Sequence, residues 1–145
     1  MSSDNKITIK SSRGKTALSV KRAITEICAE VIEDANNAMT QSLDDTAKWT
    51  AGELRKTSIS HGWTKRYYKG WTYKRTGKKG NTFEVYNESD GQLTHLLEKG
   101  HRIITPDGRD TGKRAKAFPH IAPVNEQVPD KVDVFFNERA KEAGL

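Results

Sequence analysis

Cysteine is nearly missing from this chain. Cys28 stands alone, so no internal disulfide can staple the fold, and a reducing place of synthesis is implied. Proline is absent before Pro106, so none interrupts the helical pattern between Ala17 and Thr57. There is no run of eighteen apolar residues and no charged-then-apolar leader, so neither a membrane span nor secretion is expected. Catalytic signatures are missing too. No serine sits in a Gly-x-Ser-x-Gly turn, and Thr76-Gly-Lys-Lys-Gly-Asn81 lacks both the spacing of a phosphate-cradling loop and a following helix. Carboxylates are scattered along helical stretches as solvated faces. Neither an enzyme nor a cofactor is expected.

What is present is charge. With 34% hydrophobic and 30% charged residues, 145 residues make one domain with a single modest core. That balance suits an elongated or oligomeric protein, part of whose core a neighbour supplies, better than a compact enzyme with a deep pocket. The net charge of +6 is concentrated. Residues 60–86 hold Lys65, Arg66, Lys69, Lys74, Arg75, Lys78 and Lys79 against Glu84 alone, while the flanks nearly balance. Such a patch speaks of partners and fields rather than of fold.

Residues 1–16 are polar and read as a flexible N-terminal arm, with Ile7 and Ile9 able to form a short strand against a neighbour's edge. Residues 17–145 read as the domain proper. Val20, Ile24, Ile27, Val31 and Ala35 recur at steps of four and three, and Ala23, Cys28 and Ile32 widen the stripe. Cys28 is therefore expected to be a buried thiol behaving as a small hydrophobe. Met39, Leu43, Trp49, Ala51 and Leu54 extend the pattern to about Thr57, with Asp44-Asp45 and Gly52 as places for a kink. The predicted helix runs to about 25 to 40 residues, too long for the remaining chain to cover.

Two strand-like runs follow, from Tyr67 to Arg75 and from Thr82 to Asn87, joined by a Gly-Lys-rich turn. Their alternation directs Trp71, Phe83 and Val85 towards the long helix and the turn lysines towards water or a charged partner. Arg102 to Lys116 shows almost no apolar period and carries Arg102, Arg109, Lys113, Arg114 and Lys116, so it reads as a long basic loop. Val124, Val128, Val132, Phe135 and Phe136 space as one face of a C-terminal helix, with Pro129 as a break or a fresh start.

The most informative stretch is residues 90–124. Asp90 can cap a helix over Gln92–Lys99 whose face is Leu93, Leu96 and Leu97, and Gly100 stands where a left-handed residue closes it. Pro119 and Pro123 force an extended approach, and Pro123 is placed to open the last helix. His95, Glu98, His101 and His120 are donors that zinc accepts. However, the spacing is not the one that puts two imidazoles on one helical face, and Gly100 breaks the helix before His101. The expectation is instead that His95 and Glu98 hydrogen-bond the short helix to the loop or hairpin, with no metal.

Leu93-Thr-His-Leu-Leu-Glu-Lys-Gly-His101, a glycine-rich basic stretch, then Pro119-His-Ile-Ala-Pro123 resembles the "gene product ten-like" family of long-tailed phages. Tyr68-Lys-Gly-Trp71 and Phe83-Glu-Val-Tyr-Asn87 extend the likeness, which covers roughly residues 17 to 140. Here Ser60-His-Gly-Trp-Thr-Lys-Arg66 departs from the Ser-Pro and Thr-Gly pattern of that family. The resemblance implies a tail-completion or head–tail joining protein of the virion neck. Such a protein would be made in the host bacterial cytoplasm and built as a six-fold or twelve-fold homo-oligomeric ring. It would stand between the head connector and the tail terminator or tail tube, with diffuse contact to genomic DNA in the lumen.

The fold expected is α+β: a long N-terminal helix and a C-terminal helix packed on a small antiparallel β-hairpin, with a short helix and a long basic loop between. The competing reading is a basic, sequence-nonspecific nucleic-acid-binding module. In it, Tyr67, Tyr68, Trp71 and Tyr73 stack bases while the interleaved cations grip phosphates.

Overall fold

The organising element is one helix. In the computed structural model, which describes residues 15–79 and 81–145, α1 runs unbroken from Lys15 to Ser60. Its 46 residues span about 69 Å at 1.5 Å per residue. It is longer than the sequence period suggests, and it passes through Asp44-Asp45 and Gly52 without ending. Of the arm expected over residues 1–16, residues 1–14 lie outside the described residues, and Lys15 and Thr16 begin α1 instead.

The order continues with α2 (Lys65–Lys69), β1 (Trp71–Thr76), β2 (Thr82–Asn87), α3 (Gly91–Lys99), β3 (His101–Ile104), β4 (Asp110–Ala115) and α4 (Ile121–Glu142). The architecture is α+β, as expected, with two separate two-stranded antiparallel sheets. No helix among the described residues is long and apolar enough to cross a membrane.

Three local expectations are corrected. The run expected to be a strand from Tyr67 begins instead as α2. Thr64 starts it by accepting from the Tyr67 N–H, and Gly70 ends it, so strand geometry begins only at Trp71. The basic stretch Arg102–Lys116 is largely the hairpin β3–β4 rather than a loop, with Thr105–Arg109 turning it through Gly108 at φ +87°. Its inward and outward positions are both exposed, so no apolar alternation betrays it. Finally, α4 carries Pro129 inside it without interruption. Pro129 lies on the exposed side, where water can take the carbonyl that lost its donor.

α4 packs antiparallel along the C-terminal half of α1. Val124 shares the core with Leu54, Lys131 lies over the Trp49 ring, and Arg139 makes a two-pronged ion pair with Asp45 at 2.8 and 3.0 Å. The buried face of α1 is made of small residues at helical steps, namely Ala38, Ser42, Thr46 and Thr50, ending on the larger Leu54. Their hydroxyls donate to carbonyls of the preceding turn (Thr46 to Ser42, Thr50 to Thr46), so they sit inside without orphaned donors.

Near the end of α4, Arg139 reaches Asp45. From Lys15 to Ala38, roughly 35 Å of α1, no residue but Ala38 is buried among those whose burial is described. There Ile24 (48%), Val31 (48%) and Ile32 (61%) remain exposed. Cys28 is exposed with them, contrary to the buried thiol expected, because none of the described residues covers that part of α1.

Candidate functional site

The described residues converge on a buried imidazole. His120 is fully buried, at the N-cap of α4, inside a ring of aromatic side chains. Trp63 meets it edge-on at 4.7 Å, Trp71 at 6.1 Å, and Tyr67 is tilted at 6.0 Å. Its Nδ1 lies 2.9 Å from both the Phe118 carbonyl and Glu98 Oε2. Both are acceptors, so Nδ1 carries the proton. Nε2 then accepts the Tyr67 hydroxyl at 2.8 Å.

Glu98 is the second half of this constellation. From α3 it reaches the start of α4 and accepts the backbone N–H groups of His120 (2.8 Å), Ile121 (2.9 Å) and Ala122 (2.9 Å). The next residue is Pro123, which has no N–H. One carboxylate therefore satisfies every donor that the first turn of α4 leaves without a helical partner. It does so from another element, where a serine or aspartate at the N-cap would normally serve. Burial alone would raise the Glu98 pKa. The three N–H groups and His120 more than offset it, holding the carboxyl below its usual range. Burial, together with the Glu98 and Asp90 charges, pushes the Tyr67 phenol up to about 12.

A second set of bonds locks the hub to the body. Trp71 Nε1 donates to Ser58 Oγ at 3.1 Å, and Arg55 clasps the Trp71 carbonyl at 2.6 and 3.1 Å. Buried Asn87 at the end of β2 donates to the Tyr67 carbonyl at 2.8 Å. Its oxygen accepts the Ser89 and Asp90 N–H groups. Gly70 is required there, because a Cβ would stand 2.3 Å from Asn87 Oδ1. Gly100 has φ +72° and ψ 173°, not the left-handed helical turn expected, and its backbone lies against the Ala115 carbonyl where a Cβ would be 2.5 Å away.

Of the residues singled out between 90 and 124, the fold brings Glu98 and His120 together beside Trp71, with Pro123 in the turn that Glu98 caps and Gly100 against the Ala115 carbonyl. His95, His101 and Pro119 are exposed. Glu98 is a tether, but to the first turn of α4 rather than to the loop or hairpin expected. Asp90 occupies the N-cap of α3 but makes no side-chain cap bond, and faces Arg66 at 3.3 Å instead. Sequence reasoning missed Tyr67, Trp63, Ser58 and Asn87, whose roles depend on partners far away in the chain.

The hub is closed, and its groups are mutually satisfied: no buried side-chain nitrogen or oxygen among the described residues lacks a hydrogen-bond partner. Beside it, a cleft of about 480 Å³ runs between α1, β2 and α4, lined by Leu43, Phe83, Val85, Val128 and Val132 among others. No carboxylate, imidazole, thiol or amine lines it. Among the described residues, no three His, Cys, Asp or Glu side chains gather as a metal site.

The basic segment is divided by the fold. Lys65, Arg66 and Lys69 sit on α2, Lys74 and Arg75 on β1, and Lys78 and Lys79 in the turn. Lys74 pairs with Glu84 and lies over Tyr86, while Arg75 lies over Phe83. Tyr67 and Trp71 are 2% and 3% exposed, so the stacking platform expected of the interleaved aromatics does not form from them. The other basic set, Arg102, Arg109, Lys113, Arg114 and Lys116, is exposed on and beside β3–β4. Compared with known proteins, the chain finds no matching family model, curated protein or solved structure.

Proposed function

We propose that this chain is a structural virion protein of a tailed phage, a tail-completion or head–tail joining component that assembles as a homo-oligomeric ring in the neck. The observation that carries the reading is the bare N-terminal half of α1. The apolar row Ile24, Val31 and Ala35 continues directly into the buried row Ala38, Ser42, Thr46, but only the second part is covered by the described residues. A long helix that exposes Ile24, Val31 and Ile32 is stable in water when a partner removes those side chains from solvent. The resemblance of residues 93–123 to the phage neck family gives that partner a setting: sibling copies in a ring, with the head connector on one side and the tail tube on the other. The rigid Glu98–His120 hub then acts as a joint, holding α3 and the β3–β4 hairpin at a fixed angle to the α1–α4 pair.

Mass measurement of the purified protein, followed by imaging of particles made without it, tests this. A discrete ring, and heads that fail to join tails, are expected. A protein that stays monomeric and binds duplex DNA with a steep fall in affinity as salt rises would replace the reading with a basic nucleic-acid-binding module.

A further inference from the structure

Among the described residues, no strand lies against the outer edge of β2, because β1 and β2 form a sheet of two. The Glu88 N–H donates to the Gly70 carbonyl at 2.8 Å, one step beyond the Trp71–Asn87 pair. Bonded and open pairs alternate along an antiparallel ladder. Thr72–Tyr86 and Lys74–Glu84 are therefore the bonded pairs, while Phe83 and Val85 turn their N–H and C=O groups away from β1. Those groups meet no other partner among the described residues. On the opposite edge, by contrast, the outward Trp71 carbonyl is taken by Arg55.

The side chains of Phe83 and Val85 line the cleft of about 480 Å³, which they share with Val128 and Val132 of α4 and Leu43 of α1. An open strand edge beside an apolar cleft suits an added strand. Its backbone completes the ladder, and every second side chain enters the cleft. Lys6-Ile-Thr-Ile-Lys10, outside the described residues, has that alternation. The cleft of its own chain is beyond its reach. From Lys15, where α1 begins, to Leu43 the unbroken helix covers about 42 Å. Ile9 precedes Lys15 by few enough residues that the extended chain spans at most about 21 Å. A neighbouring copy's cleft is under no such limit.

We propose that residues 6–10 of one copy add as a third strand to the outer edge of β2 in the next copy, with Ile7 and Ile9 entering the cleft beside Phe83 and Val85. Thr8 then lies across from Glu84 on the outer face, with Lys6 and Lys10 on the diagonals, within reach of its carboxylate. Glu84 is exposed and is the one acid of residues 60–86, so the charges match. The inference rests on the self-assembly proposed above and names its contact. Because the two surfaces differ, the contact is head-to-tail, the kind that closes into rings. The length of α1 is what carries each added strand beyond its own body.

The test is amide hydrogen exchange at Phe83 and Val85, together with sedimentation. In wild type both amides should exchange fast in the dilute monomer and slowly in the assembly. Ile7→Asp/Ile9→Asp changes no described residue, so its melting temperature as a monomer should match that of the wild-type monomer. Its association should be weaker by at least roughly a hundredfold, and the protection should be lost. A synthetic peptide of residues 4–11, added to that variant, should restore slow exchange at the same two amides.

Three results would overturn the strand exchange. Rings in which Phe83 and Val85 exchange as fast as in the monomer would overturn it and leave ring formation intact. Protection that persists in Ile7→Asp/Ile9→Asp rings would give the edge to another segment, with the same consequence. A wild-type protein that stays monomeric at every concentration would remove the ring and the exchange together.

Discussion

Replacing Glu98 is the sharpest probe of how this fold holds together. In wild type its carboxylate accepts three backbone N–H groups and faces His120 Nδ1, while Pro123 leaves no fourth donor to fill. Glu98→Ala removes all of these at once. The losses divide unequally. Ala122 is exposed and Ile121 half-exposed, so their N–H groups can turn to water, but His120 is fully buried. Losing a cap costs about 0.5 to 2 kcal/mol. Stranding a buried donor adds about 1 to 3 kcal/mol. About 3 kcal/mol is expected for Glu98→Ala from these two terms. Glu98→Gln keeps one acceptor oxygen but loses the charge at the helix N-terminus, for about 1 to 2 kcal/mol.

At this chain length 3 kcal/mol lowers the melting temperature by roughly 6 to 12 °C. The assay is urea and thermal unfolding of wild type and Glu98→Gln side by side across pH. The Glu98 carboxyl is held below its ordinary value of 4.5, so its contribution is fully present above that value. It is lost as pH falls through the lowered one. The gap between the two proteins should therefore be constant near neutrality and close below about pH 4.5. Equal melting temperatures at neutral pH, or a gap indifferent to acid, would refute the role assigned to this carboxylate.

Trp71→Ala should cost about 3 to 5 kcal/mol in urea unfolding, since it empties the core and removes the indole N–H that Ser58 Oγ accepts; an unchanged midpoint would mean the ring is not in the core. Tyr67→Phe leaves His120 Nε2 without its donor and should cost about 1 to 3 kcal/mol, readable by the same titration. In wild type the folded state favours the neutral Tyr67 phenol, pushed up to about 12, so stability holds below pH 10, the ordinary tyrosine value, and declines above it. Ultraviolet titration should show this tyrosine ionising last. Gly100→Ala forces a side chain into a backbone region almost reserved for glycine and against the Ala115 carbonyl; a loss of at least about 1 to 3 kcal/mol is expected by thermal melting.

Much of this molecule can be read from local pattern. The steps of three and four from Val20 to Ala35 already define a helix too long for its own domain. The alternation of Thr82–Asn87, the face of α3 and the closing Gly100 follow from neighbours in sequence, because periodicity and glycine's freedom are local properties. Glu98 could be named as a tether because it lies on a short helix just ahead of the segment it captures. The hairpin β3–β4 was not legible, since both of its faces are wet and the two-residue period that marks a strand needs one dry face. Tyr67 looked like the start of a strand and proved to be the core of a helical turn.

What the amino-acid order determined alone is that a long helix is present and the period of its apolar face. What only the tertiary structure decided is which part of that face is covered, and where His120 goes. α4 runs back along α1, its Arg139 reaching Asp45 close to its own end, a matter of length and direction that no local pattern encodes. The imidazole is buried because Tyr67, Glu98 and the Phe118 carbonyl, from three separate stretches, meet around it. A histidine's surroundings are set by residues distant in the chain, and burial is decided only when they arrive.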